Sequence, residues 1–181
     1  MVNIKFAKVR SDAIIPSKRD EDMGYDIYAC FDEDYIVIEP HETKLIPTGI
    51  ASACDPGYGF LLFERGSTGS KGIARRCGVI DSGYRNEWFV GLTNTTNSKL
   101  FISKLNSKEL VEELVIDKEN PIDWHLAENE VLNSIVYPYS KAIVQAIVTP
   151  VLETDEHELS YEDLKAIPSE RGMGALGSSN K

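Results

Sequence analysis

Cysteine, histidine and methionine are scarce in this chain, with 3 of each among 181 residues. Cys30, Cys54 and Cys77 are odd in number and lack Cys-x-x-Cys spacing. That argues against a disulfide framework and a thiolate zinc site, and favours a reducing cytoplasm. His41, His125 and His157 share no spacing, so a histidine-based mechanism is disfavoured and exposed positions are expected for them. Positive charge is short as well: 19 Lys and Arg face 29 Asp and Glu, a formal net charge of −10. Nucleic acid is therefore not an expected partner, because phosphate backbones are bound by clustered cations. No apolar run reaches the ~18 residues of a membrane span and no basic-apolar-small leader opens the sequence, so a soluble, unprocessed protein without a membrane partner is expected. An acidic chain that handles an anion must supply cations locally or through a divalent metal.

What is present is a succession of short apolar or alternating runs bounded by Gly, Pro, Asp and Asn. Ile4–Val9, Tyr35–Ile38, Thr43–Ile50, Gly59–Glu64 and Trp88–Thr93 read as strands, and the almost wholly apolar Ala142–Val151 reads as a strand buried on both faces. The length suits one domain that buries about two thirds of its unfolded surface. An all-β sandwich or barrel follows. Helical spacing enters only at Asn106, where KELVEEL puts Leu110, Val111 and Leu114 on one face, and again after Ser160, whose capping-box spacing to Asp163 precedes a short helix stopped by Pro168. From Arg171 the chain is rich in Gly and Ser and too poor in bulky residues to pack alone, so a mobile tail is expected.

The chemistry concentrates between Glu64 and Asn94, ERGSTGSKGIARRCGVIDSGYRNEWFVGLTN. Arg65, Gly66, Ser67, Thr68 and Gly69 combine a fixed cation, two hydroxyls and glycines that let backbone N–H groups approach an anion. The run Gly78-Val79-Ile80 leads to Asp81, and Ser82-Gly83-Tyr84 turns the chain. Asp81 can hold and partly deprotonate a water for attack at phosphorus. By itself it reads more readily as a turn aspartate, and the glycine-rich run and Tyr84 have plain alternatives in an unliganded turn and a buried hairpin tyrosine. Lys71, Arg75 and Arg76 read as a solvated cationic turn.

RGSTG and GVIDSGY, with MGYDIYA at 23–29, AIVQAIV at 142–148 and RGMGALGSS at 171–179, resemble in order the motifs of trimeric dUTPases, with phage and Gram-positive members the nearest likeness. The resemblance implies a distorted jelly-roll barrel over residues 1–169, short helices in an insertion at about 99–137 and before the tail, and a flexible arm at 170–181. It implies hydrolysis of dUTP to dUMP and pyrophosphate with Mg²⁺, in a homotrimer with shared sites. Asp81 would be the catalytic residue. Tyr84 would pack under the deoxyribose, and the backbone of Gly78, Val79 and Ile80 would meet uracil. Arg65, Gly66, Ser67, Thr68 and Gln145 would bind phosphate, Asp26 would orient metal-bound water, and Arg171, Gly177, Ser178 and Ser179 would close over the nucleotide. Two departures stand out: Gly66 follows Arg65 where the family has serine, and Leu176 replaces the usual stacking aromatic. Asp26 and Gln145 read alternatively as buried polar residues. A dCTP deaminase of the same fold, with Glu87 as base, is the enzyme alternative. An added binding role for a regulatory protein through Lys99–Tyr137, with Trp124 as anchor, is the non-enzymatic one.

Overall fold

The computed structural model describes residues 1–117, 122–170, 172 and 174. In chain order these hold β1 (Ile4–Lys8), β2 (Tyr25–Ile27), β3 (Tyr35–Ile38), β4 (Thr43–Pro47), β5 (Ile50–Cys54), β6 (Tyr58–Phe63), the single turn α1 (Gly66–Gly69), β7 (Ile73–Arg76) and β8 (Val79–Asp81). There follow β9 (Phe89–Asn94), β10 (Leu100–Ser103), α2 (Ser107–Ile116), α3 (Trp124–Leu132), β11 (Ile135–Pro138), β12 (Val144–Pro150) and α4 (Tyr161–Ala166). The chain divides into two units, Met1–Val151 and Leu152–Lys181.

The first unit is the expected all-β, jelly-roll-like fold. Its strands pair as β1-β5, β11-β10-β3, β2-β12-β6-β8 and β4-β9-β7. Among the paired strands only β10 and β11 run parallel. A parallel pair needs a long crossover, and α2 and α3 supply it. Inward side chains of the sheets meet around Trp88, which is 0% exposed and lies 5.0 Å from Phe60 and 6.0 Å from Phe6 between ring centroids.

Two strand expectations change for physical reasons. Thr43–Ile50 is not one strand: it breaks at Gly49, whose φ is 66°. The Thr48 hydroxyl donates to the Trp88 carbonyl at 2.7 Å, and the Gly49 N–H donates to the Glu87 carboxylate at 2.7 Å. Both bonds seat the break on the loop that leads into β9. Nor is β12 buried on both faces within this chain, since Val144 and Ala146 are buried whereas Gln145, Ile147 and Thr149 are only partly so. β10 is covered on both faces. Leu100 and Ile102 enter the main core, while Phe101 packs with Leu110, Val111, Leu114, Ala127 and Val131 of the helical pair.

The helix expected after Asn106 is α2. Asn106 accepts from the Lys108 and Glu109 N–H groups, and the Glu109 side chain returns to the Asn106 N–H. Within the segment 99–137, α2 and α3 lie between β10 and β11. In α3, Trp124 is 44% exposed. Arg75 and Arg76 stand on β7 rather than in a solvated turn. The three histidines are exposed, as expected.

The second unit holds α4, where the Ser160 hydroxyl accepts the Asp163 N–H at 3.1 Å, and its described residues are all exposed. No helix among the described residues is long and apolar enough to cross a membrane.

A Cβ on Gly49 would lie 2.7 Å from the Ala13 Cβ and 2.8 Å from the Cys30 Sγ. Gly49→Ala is therefore expected to lower stability by about 2 kcal/mol through overpacking and an unfavourable φ. Urea unfolding measures this, and an unchanged midpoint would show that the break is not tightly packed.

Candidate active site

The register of β12 assembles one group of polar side chains. Gln145 sits opposite Asp26 of β2 on one side and opposite Phe63 of β6 on the other. Gly24 lies against Gln145, where a Cβ would come within 3.0 Å of its side chain. Gln145 Nε2 donates to the Glu64 carbonyl at 2.9 Å, which anchors the chain as it leaves β6. Arg65 then reaches back to Asp26, with Nε 2.9 Å from one carboxylate oxygen and Nη2 3.1 Å from the other. Both side chains keep about a third of their exposure, 30% for Arg65 and 34% for Asp26, so the pair orients these groups and contributes no more than about 1 kcal/mol.

The single turn α1 presents Ser67 beside Arg65, with its Oγ 3.3 Å from Arg65 Nη1. Gly66 faces open space, while Thr68 is buried, its hydroxyl accepting from the Arg65 N–H and donating to the Arg65 carbonyl, each at 3.0 Å. Thr68 thus shapes the turn that carries Arg65 and Ser67. On β7 the Arg75 N–H donates to Glu64 at 2.9 Å. Partial burial pushes the Glu64 carboxyl up, but this bond and the nearby Arg75 and Arg76 outweigh it and hold the carboxyl below its ordinary value.

A cleft of about 780 Å³ opens over these groups. Asp26, Arg65, Gly66, Ser67 and Gln145 line it, together with Met23 and Gly24 of the MGYDIYA run and a loop that sequence reasoning passed over: Ser17, Lys18, Arg19, Glu21 and Asp22. The Asp26 N–H donates to the Ser17 carbonyl at 3.1 Å, which pins the loop to β2. Arg19 grips both oxygens of Asp22 at 2.9 and 2.8 Å and holds that carboxyl down at about 2. The signal available in the sequence was the adjacent basic pair Lys18-Arg19 just upstream of MGYDIYA.

Asp81 and Tyr84 line a second, smaller cleft of about 350 Å³, with Leu45, Cys77, Val79, Ile80 and Phe89. The Tyr84 N–H donates to the Asp81 carbonyl at 3.1 Å, closing the turn, and the Tyr84 hydroxyl donates to the Glu87 carbonyl at 3.0 Å. Arg85 Nη1 donates to the carbonyls of Ser52, Ser82 and Tyr84. No hydrogen bond or ion pair to a described residue engages the Asp81 carboxylate, so its oxygens remain available to solvent or ligand. The Glu87 carboxylate, in contrast, is bound to the Gly49 N–H.

The two groups share a sheet but stand far apart on it. Asp81 pairs with Gly59 of β6 while Gln145 pairs with Phe63, so Asp81, Phe63, Gln145 and Asp26 all point to one face. Four residues along β6 and three strand spacings across the sheet separate Asp26 from Asp81 by roughly 20 Å. One chain therefore does not bring them to a common phosphate. Arg171, Leu176, Gly177, Ser178 and Ser179 lie outside the described residues.

No cluster of three or more His, Cys, Asp or Glu side chains suited to a metal occurs among the described residues. Asp26 is engaged by Arg65 and Asp22 by Arg19. This arrangement fits Mg²⁺ held chiefly by substrate phosphates, with a protein carboxylate acting through water, which is a common habit of that ion.

Residues 10–107 match the family model described as dUTPase. Among curated proteins, the chain is 28% identical to the deoxyuridine 5'-triphosphate nucleotidohydrolase of Nautilia profundicola, over 99% of this chain and 100% of that protein. It is 32% identical to the enzyme of the same name from Leptospira interrogans, over 66% of this chain and 82% of the other. Among solved structures, Staphylococcus bacteriophage 80alpha dUTPase with dUPNHPP superposes with a TM-score of 0.67 over 99% of both chains at 22% identity, which bears on fold alone. With more than half of its length matched by the family model and a curated relative aligned along almost all of it, the chain belongs to the dUTPase family.

Proposed function

We propose that this chain hydrolyses dUTP to dUMP and pyrophosphate at sites shared between copies of itself, with Asp81 as the residue that activates water. The family activity is dUTP hydrolysis, and the chain is an enzyme of that class, a dUTP diphosphatase. The observation that carries the shared-site reading is the roughly 20 Å between Asp26 and Asp81 on one outward face. That face also carries Leu61, Phe63, Val79 and Ile147, whose partial or full exposure suits burial against another copy. A homotrimer would let Asp81 and Tyr84 of one chain meet Asp26, Arg65, Ser67 and Gln145 of a second.

In that arrangement the Asp81 carboxylate orients water in line with the leaving oxygen and takes up its proton as the O–P bond forms at the α-phosphorus. Arg65 is a forked cation for phosphate oxygens, with Ser67 and the open backbone at Gly66 as further donors. Thr68 holds their turn. Mg²⁺ bound by the triphosphate supplies charge neutralisation of the departing pyrophosphate. Tyr84 lies under the sugar and excludes a 2′-hydroxyl, and the backbone of Gly78, Val79 and Ile80 faces uracil. Arg171 meets the terminal phosphate, with Gly177, Ser178 and Ser179 wrapping the nucleotide. Leu176 gives apolar cover without the stacking of order 1 kcal/mol that an aromatic adds. A cytoplasmic setting accords with the free thiols of Cys30, Cys54 and Cys77.

Replacing Asp81 with Asn should lower kcat about 10²- to 10⁴-fold while binding of a nonhydrolysable dUTP analogue persists. Oligomers mixed from Asp81→Asn and Arg65→Ala chains should regain activity that neither variant shows alone. Unaltered turnover would remove Asp81 from its role, and mixed oligomers that stay inactive would refute the sharing.

Deamination of dCTP is the weaker enzymatic reading, because the Glu87 carboxylate is occupied by Gly49. Incubation with dCTP should release no ammonia; its release at a rate comparable with dUTP hydrolysis would reverse this ranking.

The helical pair α2 and α3 supports a second role for an insertion of the phage and Gram-positive kind, binding a regulatory protein. Ile116, Trp124, Leu126 and Leu132 leave large apolar surfaces exposed there. Trp124→Ala should spare dUTP hydrolysis and weaken capture of such a partner from host extract; equal capture by both proteins would exclude Trp124 as the anchor.

A further inference from the structure

We propose that Lys18 is an additional binding residue for the polyphosphate, a cation at the rim of the Asp26–Arg65 cleft that holds outer phosphate oxygens. The inference rests on the reading of this cleft as a nucleotide triphosphate site. Three cations, Lys18, Arg19 and Arg65, line the cleft beside three carboxylates, Glu21, Asp22 and Asp26. Two of the cations are already matched by carboxylates: Arg65 by Asp26 and Arg19 by Asp22. Lys18 has no ion pair with a described residue. Its Nζ donates only to main-chain carbonyls, to Asp22 at 2.8 Å and Arg19 at 3.2 Å. An ammonium has three donors, so one remains for a ligand.

The loop holds this ammonium in a defined place. Ser17 bridges to Asp26 of β2, the Asp22 N–H returns to the Arg19 carbonyl at 3.1 Å, and Asp22 clamps the Arg19 guanidinium from the same turn. The Lys18 ammonium stands 5.8 Å from the Tyr25 ring centroid, next to Asp26 in sequence. In a chain of net charge −10 the long-range field repels a polyphosphate. A cation on this loop, outside any ion pair with a described residue, adds local attraction where phosphates would enter. Because an ammonium acts as a compact point charge, Lys18 suits the freely rotating terminal phosphates, whereas the fork of Arg65 suits a fixed pair of oxygens.

The test uses the full-length oligomer and two variants. Lys18→Gln keeps an N–H donor for the carbonyls but removes the charge, and Lys18→Arg keeps the charge. In Lys18→Gln, KM for dUTP and the dissociation constant of inorganic tripolyphosphate should rise about five- to tenfold, as expected for one charge-assisted bond near the surface. kcat and the inhibition constant of dUMP, which lacks the outer phosphates, should move less than about twofold, and Lys18→Arg should recover most of the loss. Equal weakening of dUMP and dUTP would show that Lys18 merely shapes the loop, and unchanged tripolyphosphate binding would refute the proposal outright. Should the unaltered protein bind tripolyphosphate through Lys18 yet leave dUTP intact, the hydrolase reading would fall while the anion site stood.

Discussion

The pairing of β12 with both β2 and β6 is the constraint on which the rest of the molecule depends. That register sets Gln145 between Asp26 and Phe63 and brings the start of the Arg65 turn beside Asp26. Moving it by one residue would turn Gln145 into the core and Ala146 out of it. The inner face opposes such a slip, because Ile27, Val144, Ala146, Leu62 and Phe60 are all buried. Apolar burial on one face thus fixes the polar geometry on the other.

The hairpin side is secured by different bonds. Trp88 is packed among aromatic rings, while Glu87 immediately before it binds the N–H of Gly49. Arg85 gathers carbonyls from β5 and from the turn. The residues flanking Asp81 are therefore tied to the barrel, and its carboxylate is left to solvent. This combination of a fixed backbone and an unengaged acid is what water activation requires. It also separates two neighbouring carboxylates by function: Glu87 is a structural acceptor, and Asp81 is the proposed catalytic one.

Electrostatics adds a further level. The cleft holds three cations and three carboxylates, and two of the cations, Arg19 and Arg65, are paired in place with Asp22 and Asp26. Such pairs order the guanidinium groups before a ligand arrives and reduce the rearrangement needed on binding. Lys18, the cation outside an ion pair among the described residues, comes from a loop that a bridge from Ser17 ties to Asp26 of β2.

Short-range patterns made much of the fold readable. Alternation marked β1, β3, β6 and β9 within a residue or so, and the Asn106–Glu109 and Ser160–Asp163 spacings marked two helices, because strands and caps are written over a few neighbouring residues. The glycine-rich turn carrying Arg65 and Ser67 and the turn between Asp81 and Tyr84 were likewise legible from their residue types. Less legible were β2, too short to show a period, and β10 and β11, whose parallel partnership joins segments separated by a helical pair. The break at Gly49 was read through as strand although Pro47-Thr48-Gly49 carries turn-forming residues, and the Glu87 carboxylate that accepts the Gly49 N–H lies far along the chain. The sequence by itself determined which elements form and which chemical groups are available. Only the tertiary structure decided that Asp26 and Asp81 stand on one face yet too far apart for one phosphate, and that Lys18 lines the cleft while the Glu87 carboxylate is bound to Gly49, because strand register and loop closure are long-range contacts that no local pattern encodes.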